Sequence, residues 1–86
     1  MKCSVEISMY PLHQQYVDPI IDFIKELRSY PDLEIETNGM STQVFGDYEI
    51  VMRALNSEMK AVFLNDKKVV FNLKVINSHL QEKPQF

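Results

Sequence analysis

The first part of the chain changes from one hydrophobic period to another. Residues 2–10 alternate apolar with polar or amphipathic side chains, and the apolar ones are Cys3, Val5, Ile7 and Met9. A period of two predicts a half-buried strand, which Pro11 ends. Over residues 15–29 the apolar side chains instead recur three and four positions apart, at Val17, Ile20, Ile21, Ile24 and Leu27. That spacing predicts an amphipathic helix closed by Pro31.

Two further alternating runs, residues 33–37 and 40–46, flank the dipeptide Asn38-Gly39. Asn-Gly between alternating runs is typical of a two-residue hairpin turn. Such a turn predicts a register in which Thr37 faces Met40. It also predicts that one side of the sheet carries Leu33, Ile35, Thr37, Met40, Thr42 and Val44, and the other side Glu34, Glu36, Ser41, Gln43 and Phe45.

The helical period returns after Gly46. Asp47 is the expected N-cap, and the apolar face of this second helix is formed by Ile50, Val51, Ala54, Leu55, Met59, Val62 and Phe63. Asn65-Asp66 predicts a turn, and the alternation over residues 68–76 predicts a last strand. The polar end of the chain predicts a flexible C-terminal tail over residues 81–86.

The element order βαββαβ predicts one ferredoxin-like α+β domain over residues 1–80. Right-handed crossovers then place both helices on one face of a four-stranded antiparallel sheet with the strand order 4-1-3-2. The other face has no helix to cover it, which suggests an oligomer interface or a ligand surface. A chain of 86 residues builds a thin core, so we expect a homo-oligomer, either a dimer or a tetramer.

Charge and composition argue against several classes of function. The chain has 9 basic and 12 acidic residues and no basic cluster longer than Lys67-Lys68, which disfavours nucleic-acid binding. No apolar run approaches the roughly 18 residues that span a membrane, and Glu6 stands where a signal peptide is apolar. We therefore expect a cytoplasmic protein without a membrane partner.

The residues that commonly hold cofactors are sparse. Cys3 is the only cysteine, which excludes an internal disulfide and a cysteine-based zinc cage. His13 and His79 are expected at the surface, because no second histidine or cysteine lies at metal-binding spacing. No metal or other cofactor is expected.

Polar side chains gather at one end of the predicted sheet. The end of the first strand, with Ser8 and Tyr10, lies beside the start of the third, residues 39–42, because these strands are antiparallel. Parity points Ser8 and Ser41 to the open face and Thr42 toward the helices. The helix-facing positions carry no ionisable group, although an enzyme needs an acid or base there. We therefore expect a binding protein and not an enzyme.

Two segments resemble a known family. Residues 5–12, VEISMYPL, resemble the opening strand of the YkoF-like thiamine/hydroxymethylpyrimidine-binding family. Residues 37–46, TNGMSTQVFG, resemble that family's second and more specific motif. The resemblance covers residues 3–76 in the same element order. It implies a ferredoxin-like fold, here as a single-domain member, and binding of thiamine through its pyrimidine part in thiamine or precursor supply.

The resemblance and the convergence of polar groups together predict one set of ligand-binding residues: Glu6, Ser8, Tyr10, Asn38, Gly39, Ser41, Thr42 and Gln43. Their hydroxyls, amides and carboxylate match the ring nitrogens and exocyclic amine of an aminopyrimidine. Glu6 is expected to pair with the pyrimidine or with the cation of thiamine, Gly39 to allow close backbone approach, and Tyr10 to stack on a ring. Two alternatives remain open: a cofactor-free dimeric ferredoxin-like enzyme, and a structural or regulatory oligomer without a ligand.

Overall fold

A computed structural model describes all residues from 1 to 86. In chain order its elements are β1 (Lys2–Pro11), α1 (Val17–Arg28), β2 (Glu34–Thr37), β3 (Thr42–Asp47), α2 (Tyr48–Asn65) and β4 (Val69–Ile76). The strands form one antiparallel sheet in the order β2-β3-β1-β4. The ferredoxin-like fold and the predicted strand order are therefore confirmed. Neither helix is both long and apolar enough to cross a membrane.

The core lies between the helices and the helix-facing side of the sheet. It contains all the alternate apolar residues of β1 together with Phe23, Leu27, Leu33, Val44, Val51, Ala54 and Leu55. Burial here raises the pKa of the Cys3 thiol, because desolvation disfavours the thiolate. Residue 3 therefore acts as a small apolar side chain, as its strand position predicts.

Helix α1 is rotated relative to its predicted apolar face. Val17 and Ile21 were expected to be buried but are 52% and 43% exposed. Phe23 is buried in their place, and its ring lies 5.0 Å from that of Phe71 on β4. Aromatic rings bury large areas when they pack, and this pair fixes the side of α1 that carries Phe23 against the sheet.

The connection between β2 and β3 is longer than the predicted two-residue turn. Thr37 pairs with Thr42 and not with Met40. Asn38 Oδ1 accepts the backbone N–H groups of Met40 and Ser41, at 2.8 and 3.2 Å, and the Asn38 N–H donates to the Ser41 carbonyl. These bonds satisfy the loop without any residue at positive φ, glycine included. Since the register moves by an even number of residues, the residues of β2 and β3 keep their predicted faces. Met40, predicted on the helix side, lies in the loop instead and is 88% exposed.

The start of α2 also differs from the prediction. Asp47 occupies the N-cap position with extended backbone angles, but its side chain makes no capping hydrogen bond. Its carboxylate instead lies 3.6 Å from Lys2 Nζ, and both side chains are more than half exposed. An exposed pair of this kind contributes little to stability.

The second face of the sheet is covered at one end, where it was expected to be open throughout. After β4 the chain turns back across β1 and β3. Ser4 Oγ donates to the Ser78 carbonyl at 2.7 Å and accepts the Leu80 N–H at 2.8 Å, and the rings of Phe45 and His79 lie 5.7 Å apart. Ser4 and Phe45 are consequently buried. We call this region the covered end, defined by Ser4, Phe45 and residues 77–80.

Candidate functional site

The opposite end of the sheet contains a small cleft. Ile7 pairs with Thr42 across β1 and β3, which brings the end of β1 against the loop that precedes β3. The cleft has a volume of about 230 Å³. Six of the eight predicted ligand residues line it: Ser8, Tyr10, Asn38, Gly39, Ser41 and Thr42. Ile20, Phe23 and Ile24 of α1 form an apolar wall.

The other two predicted residues, Glu6 and Gln43, reach the cleft through Ser41. Ser41 Oγ donates to Glu6 Oε2 at 2.8 Å, and Gln43 Nε2 donates to Ser41 Oγ at 2.8 Å. Lys74 Nζ lies 3.6 Å from the other Glu6 oxygen. We call Glu6, Ser41, Gln43 and Lys74 the polar chain. It lies on the open face, with Ser41 at the point where that face meets the cleft.

The charge of Glu6 is maintained by its neighbours. The hydrogen bond from Ser41 is the main cause that lowers the pKa of Glu6, and the positive charge of Lys74 adds to it. Both favour the ionised carboxylate. Since the Glu6 and Lys74 side chains are 44% and 82% exposed, this carboxylate remains accessible as an acceptor for a ligand N–H.

The remaining predicted residues differ in how free their side chains are. Thr42 is buried, and its hydroxyl lies 3.1 Å from that of Thr37 across the strands. The Asn38 carbonyl oxygen is used within its own loop, which leaves its amide N–H groups as donors. Tyr10 is half exposed, and a Cβ added at Gly39 would meet nothing within 4 Å. Tyr10 and Gly39 therefore leave room for a flat ring.

The cleft lacks a group suited to acid–base chemistry. Its lining contains no carboxylate and no imidazole. Outside the cleft, the Tyr30 hydroxyl donates a hydrogen bond to Glu58 at 2.6 Å. That hydrogen bond raises the pKa of Tyr30, which makes Tyr30 a poor base at neutral pH. Nowhere are three or more His, Cys, Asp or Glu side chains grouped to hold a metal ion.

A second cleft, which the sequence did not predict, lies between the β1–α1 loop, α1 and α2. Its volume is about 810 Å³, and its charged lining consists of Asp18, Asp22, Glu26, Glu58 and Asp66. His13 was expected at the surface but is largely buried there, with Nε2 2.8 Å from Asp66 Oδ1. The other oxygen of Asp66 is buried without a hydrogen-bond partner. His13 and Asp66 are 53 positions apart, so no local pattern reveals their contact.

Fold and site together define a single ferredoxin-like domain with a small, largely apolar cleft at the strand ends and polar side chains at its mouth. The UPF0045 protein MJ1052 of Methanocaldococcus jannaschii is 30% identical over 79 residues, which cover 86% of this chain and 75% of that protein. The chain therefore belongs to the UPF0045 family. No family model matches it.

Solved structures agree with this assignment. The crystal structure of MJ1052 superposes with a TM-score of 0.78 at 27% identity, covering 98% of this chain and 88% of that one. Protein SP2199 of Streptococcus pneumoniae gives 0.84 at 21% identity over 93% and 90% of the two chains. Protein TM0486 of Thermotoga maritima, provisionally assigned to thiamine biosynthesis or salvage, gives 0.81 at 20% identity over 91% and 85%. The last two show a shared fold.

Proposed function

We propose that this protein binds the hydroxymethylpyrimidine part of thiamine, free or within thiamine, as a homo-oligomer that serves thiamine or precursor supply. The observation that carries the proposal is the polar chain, in which Glu6, Ser41 and Gln43 are joined by hydrogen bonds at the mouth of an apolar cleft. The provisional assignment of the Thermotoga neighbour to thiamine biosynthesis or salvage supports the same chemistry.

The polar chain is complementary to an aminopyrimidine. The Glu6 carboxylate accepts hydrogen bonds, and an exocyclic amine donates them. The Ser41 hydroxyl and the Gln43 amide are able to donate to ring nitrogens after a small rotation. A hydrogen bond to a charged group contributes about 1.5–3 kcal/mol, so the ionised Glu6 supplies the largest single polar contribution to affinity.

The size of the cleft favours a single ring. Its volume of about 230 Å³ lies below the roughly 300–1,000 Å³ that is usual for drug-sized ligands. One pyrimidine ring fits between the α1 wall and Tyr10, whereas the second ring of thiamine would extend outside. We therefore expect hydroxymethylpyrimidine to bind at least as tightly as thiamine.

A binding role suits the cleft better than catalysis. The only ionisable side chain in its lining is Tyr10, and the pKa of Glu6 at its mouth is lowered by the Ser41 hydrogen bond. General acid–base catalysis requires a group that titrates near the working pH within reach of the substrate. The oligomeric part of the proposal is supported by apolar side chains left exposed on the open face, namely Tyr10, Val70 and Ile76.

The test is isothermal titration of the purified protein with hydroxymethylpyrimidine and with thiamine. The informative variant is Ser41→Ala combined with Thr42→Val, which removes two hydroxyls at the cleft. The matched control is Asp22→Asn, which removes a charge from the larger cleft. We expect saturable binding by the wild type and the control. The double variant should bind at least about tenfold more weakly, since a loss of 1.4 kcal/mol corresponds to tenfold in affinity.

Two results would contradict the proposal. If neither compound releases heat at millimolar concentration, the protein does not bind hydroxymethylpyrimidine or thiamine, and a structural or regulatory oligomer is favoured. Loss of binding in Asp22→Asn alone would move the site to the larger cleft, where the acidic lining suits a cation.

A further inference from the structure

The charges around the candidate site lie in one row across the open face of the sheet. Paired positions on the four strands, in the order β2-β3-β1-β4, place side by side Glu36, Gln43, Glu6 and Lys74. Two carboxylates and one ammonium group give this row a net negative charge. The ammonium group lies on the edge strand, where the Lys74 side chain is 82% exposed and its Nζ is 3.6 Å from Glu6 Oε1. The positive charge of the row is therefore already paired with Glu6.

The cleft beside this row has no cation of its own. None of its 13 lining residues is a lysine, an arginine or a histidine. Proteins usually bind phosphate groups through lysine or arginine side chains, or through free backbone N–H groups in a loop or at a helix N-terminus. The side chains of the cleft supply hydroxyl and amide groups instead, which suit an uncharged ring.

The backbone around the cleft is equally poor in donors for an anion. In the β2–β3 loop the N–H groups of Met40 and Ser41 both donate to Asn38 Oδ1. No residue of the loop has the positive φ with which successive N–H groups form an anion-binding concavity. The first turn of α1 carries the acidic Asp18 and also Pro19, which has no N–H. Both of these residues line the larger cleft on the other side of α1.

We infer that the candidate site accepts hydroxymethylpyrimidine but rejects its phosphate ester, and that Glu6 determines this specificity. The inference rests on the proposed function, whose ligand it narrows to the unphosphorylated class. A phosphate monoester carries a charge of about −1.5 to −2 at pH 7. A pyrimidine ring with its substituents is shorter than the roughly 10 Å over which 0.1 M salt screens a charge. The phosphate of a bound ester would therefore be repelled by Glu6 whichever way it pointed.

Glu6 determines the specificity because it acts on the two compounds in opposite directions. Its carboxylate is an acceptor for the exocyclic amine of the ring, whereas it repels a second anion at the same mouth. The hydrogen bond from Ser41 favours the ionised carboxylate. Glu6 also holds Lys74, the one cation of the row, so that the ammonium group is not free to bind a phosphate. Repulsion of this kind is a common way to exclude a close analogue of the correct ligand.

Titration calorimetry with hydroxymethylpyrimidine and with its phosphate ester tests the inference. We expect the wild type to bind the ester at least about tenfold more weakly. Raising the salt concentration from about 50 mM to about 500 mM should strengthen binding of the ester, because salt screens the repulsion, and should leave binding of the uncharged compound nearly unchanged. This comparison uses the wild type alone and does not depend on the folding of a variant.

Glu6→Gln is the informative variant. Glutamine keeps the shape and an acceptor oxygen, but it removes the charge and releases Lys74. We expect the ratio of the two affinities to fall about tenfold, through weaker binding of hydroxymethylpyrimidine and stronger binding of the ester. The matched control is Glu49→Gln, which makes the same change in net charge at the start of α2, beyond the end of β3 that is remote from the cleft. It should leave the ratio unchanged.

The outcomes separate this inference from the proposed function. An ester that binds as tightly as hydroxymethylpyrimidine would overturn the inference and leave the proposed function standing. An ester that binds weakly at every salt concentration, with the same ratio in Glu6→Gln as in the wild type, would overturn the role of Glu6 and indicate steric exclusion. If neither compound binds, the proposed function fails and the inference fails with it.

Discussion

The two ends of the open sheet face have the same alternating sequence pattern but differ in how much of their side chains is exposed to solvent. At the covered end, Ser4 and Phe45 are 6% and 4% exposed because residues 77–80 pack over them. At the cleft end, Ser41 and Glu6 remain accessible, and their hydrogen bonds leave acceptor capacity for a ligand. The alternation along a strand determines the side of the sheet on which a residue lies. The packing of residues 77–80 determines which part of the open face is exposed to solvent.

Phe45 is expected to show the largest difference between the two ends. Phe45→Ala removes a buried ring beneath the C-terminal segment, and such truncations cost about 3–5 kcal/mol in free energy of unfolding. Tyr10→Ala, on the same face at the cleft end, is the control and should cost less than about 1 kcal/mol because Tyr10 is 51% exposed. Urea denaturation measures both. Equal losses would show that the C-terminal segment does not shield Phe45 in solution.

The two glycines are expected to respond in opposite directions. A Cβ at Gly46 would lie 2.9 Å from Leu33 Cδ2 and 3.2 Å from the Asp32 carbonyl oxygen, so Gly46→Ala should destabilise the protein by about 1–3 kcal/mol. A Cβ at Gly39 meets nothing within 4 Å, and its φ is not positive. Gly39→Ala should therefore be neutral or stabilise by up to about 1 kcal/mol. Thermal melts of the pair give the sign, and a stable Gly46→Ala would mean that Leu33 moves aside freely.

Ser4 tests how firmly the C-terminal segment is held. Ser4→Ala removes one hydroxyl that both donates to Ser78 and accepts from Leu80, and we expect a loss of about 1 kcal/mol. Ser8→Ala on the same strand face makes a suitable comparison, because Ser8 lies at the uncovered cleft end. Hydrogen exchange of the Leu80 amide should accelerate in Ser4→Ala and stay unchanged in Ser8→Ala. Slow exchange in both variants would contradict the predicted role of Ser4.

The smallest expected effect is a pH dependence at the cleft end. The pKa of Glu6 is lowered in the folded state, so its contribution to stability is present above the ordinary carboxyl pKa and is lost as the pH falls through the folded value. Glu6→Gln should thus be less stable than the wild type at pH 7, with the difference vanishing in acid. Glu36→Gln on β2, which is separated from β1 by β3, is the control. A difference that persists at low pH would point to lost packing and not to lost charge.

Several parts of the site followed from local patterns. The alternation of β1 and the TNGMSTQVFG segment predicted which residues meet at the strand ends, and the cleft contains Ser8, Ser41 and Thr42 as expected. The turn was predicted too short because the Asn38 side chain offers the loop N–H groups acceptors that an Asn-Gly pattern does not reveal. The residues that lie in β2 and β3 kept their predicted faces because the register moved by an even number of residues, whereas Met40 lies in the loop.

Hydrophobic periodicity was sufficient for the element order, the antiparallel sheet and the side on which each strand residue lies, because these depend on spacing along the chain. The rotation of α1 onto Phe23, the contact of His13 with Asp66 and the burial of Ser4 beneath Leu80 depend on residues far apart in sequence. Such contacts form only when the packed elements bring them together. The accessibility of the cleft end therefore follows from where the C-terminal segment packs, which no spacing along the chain encodes.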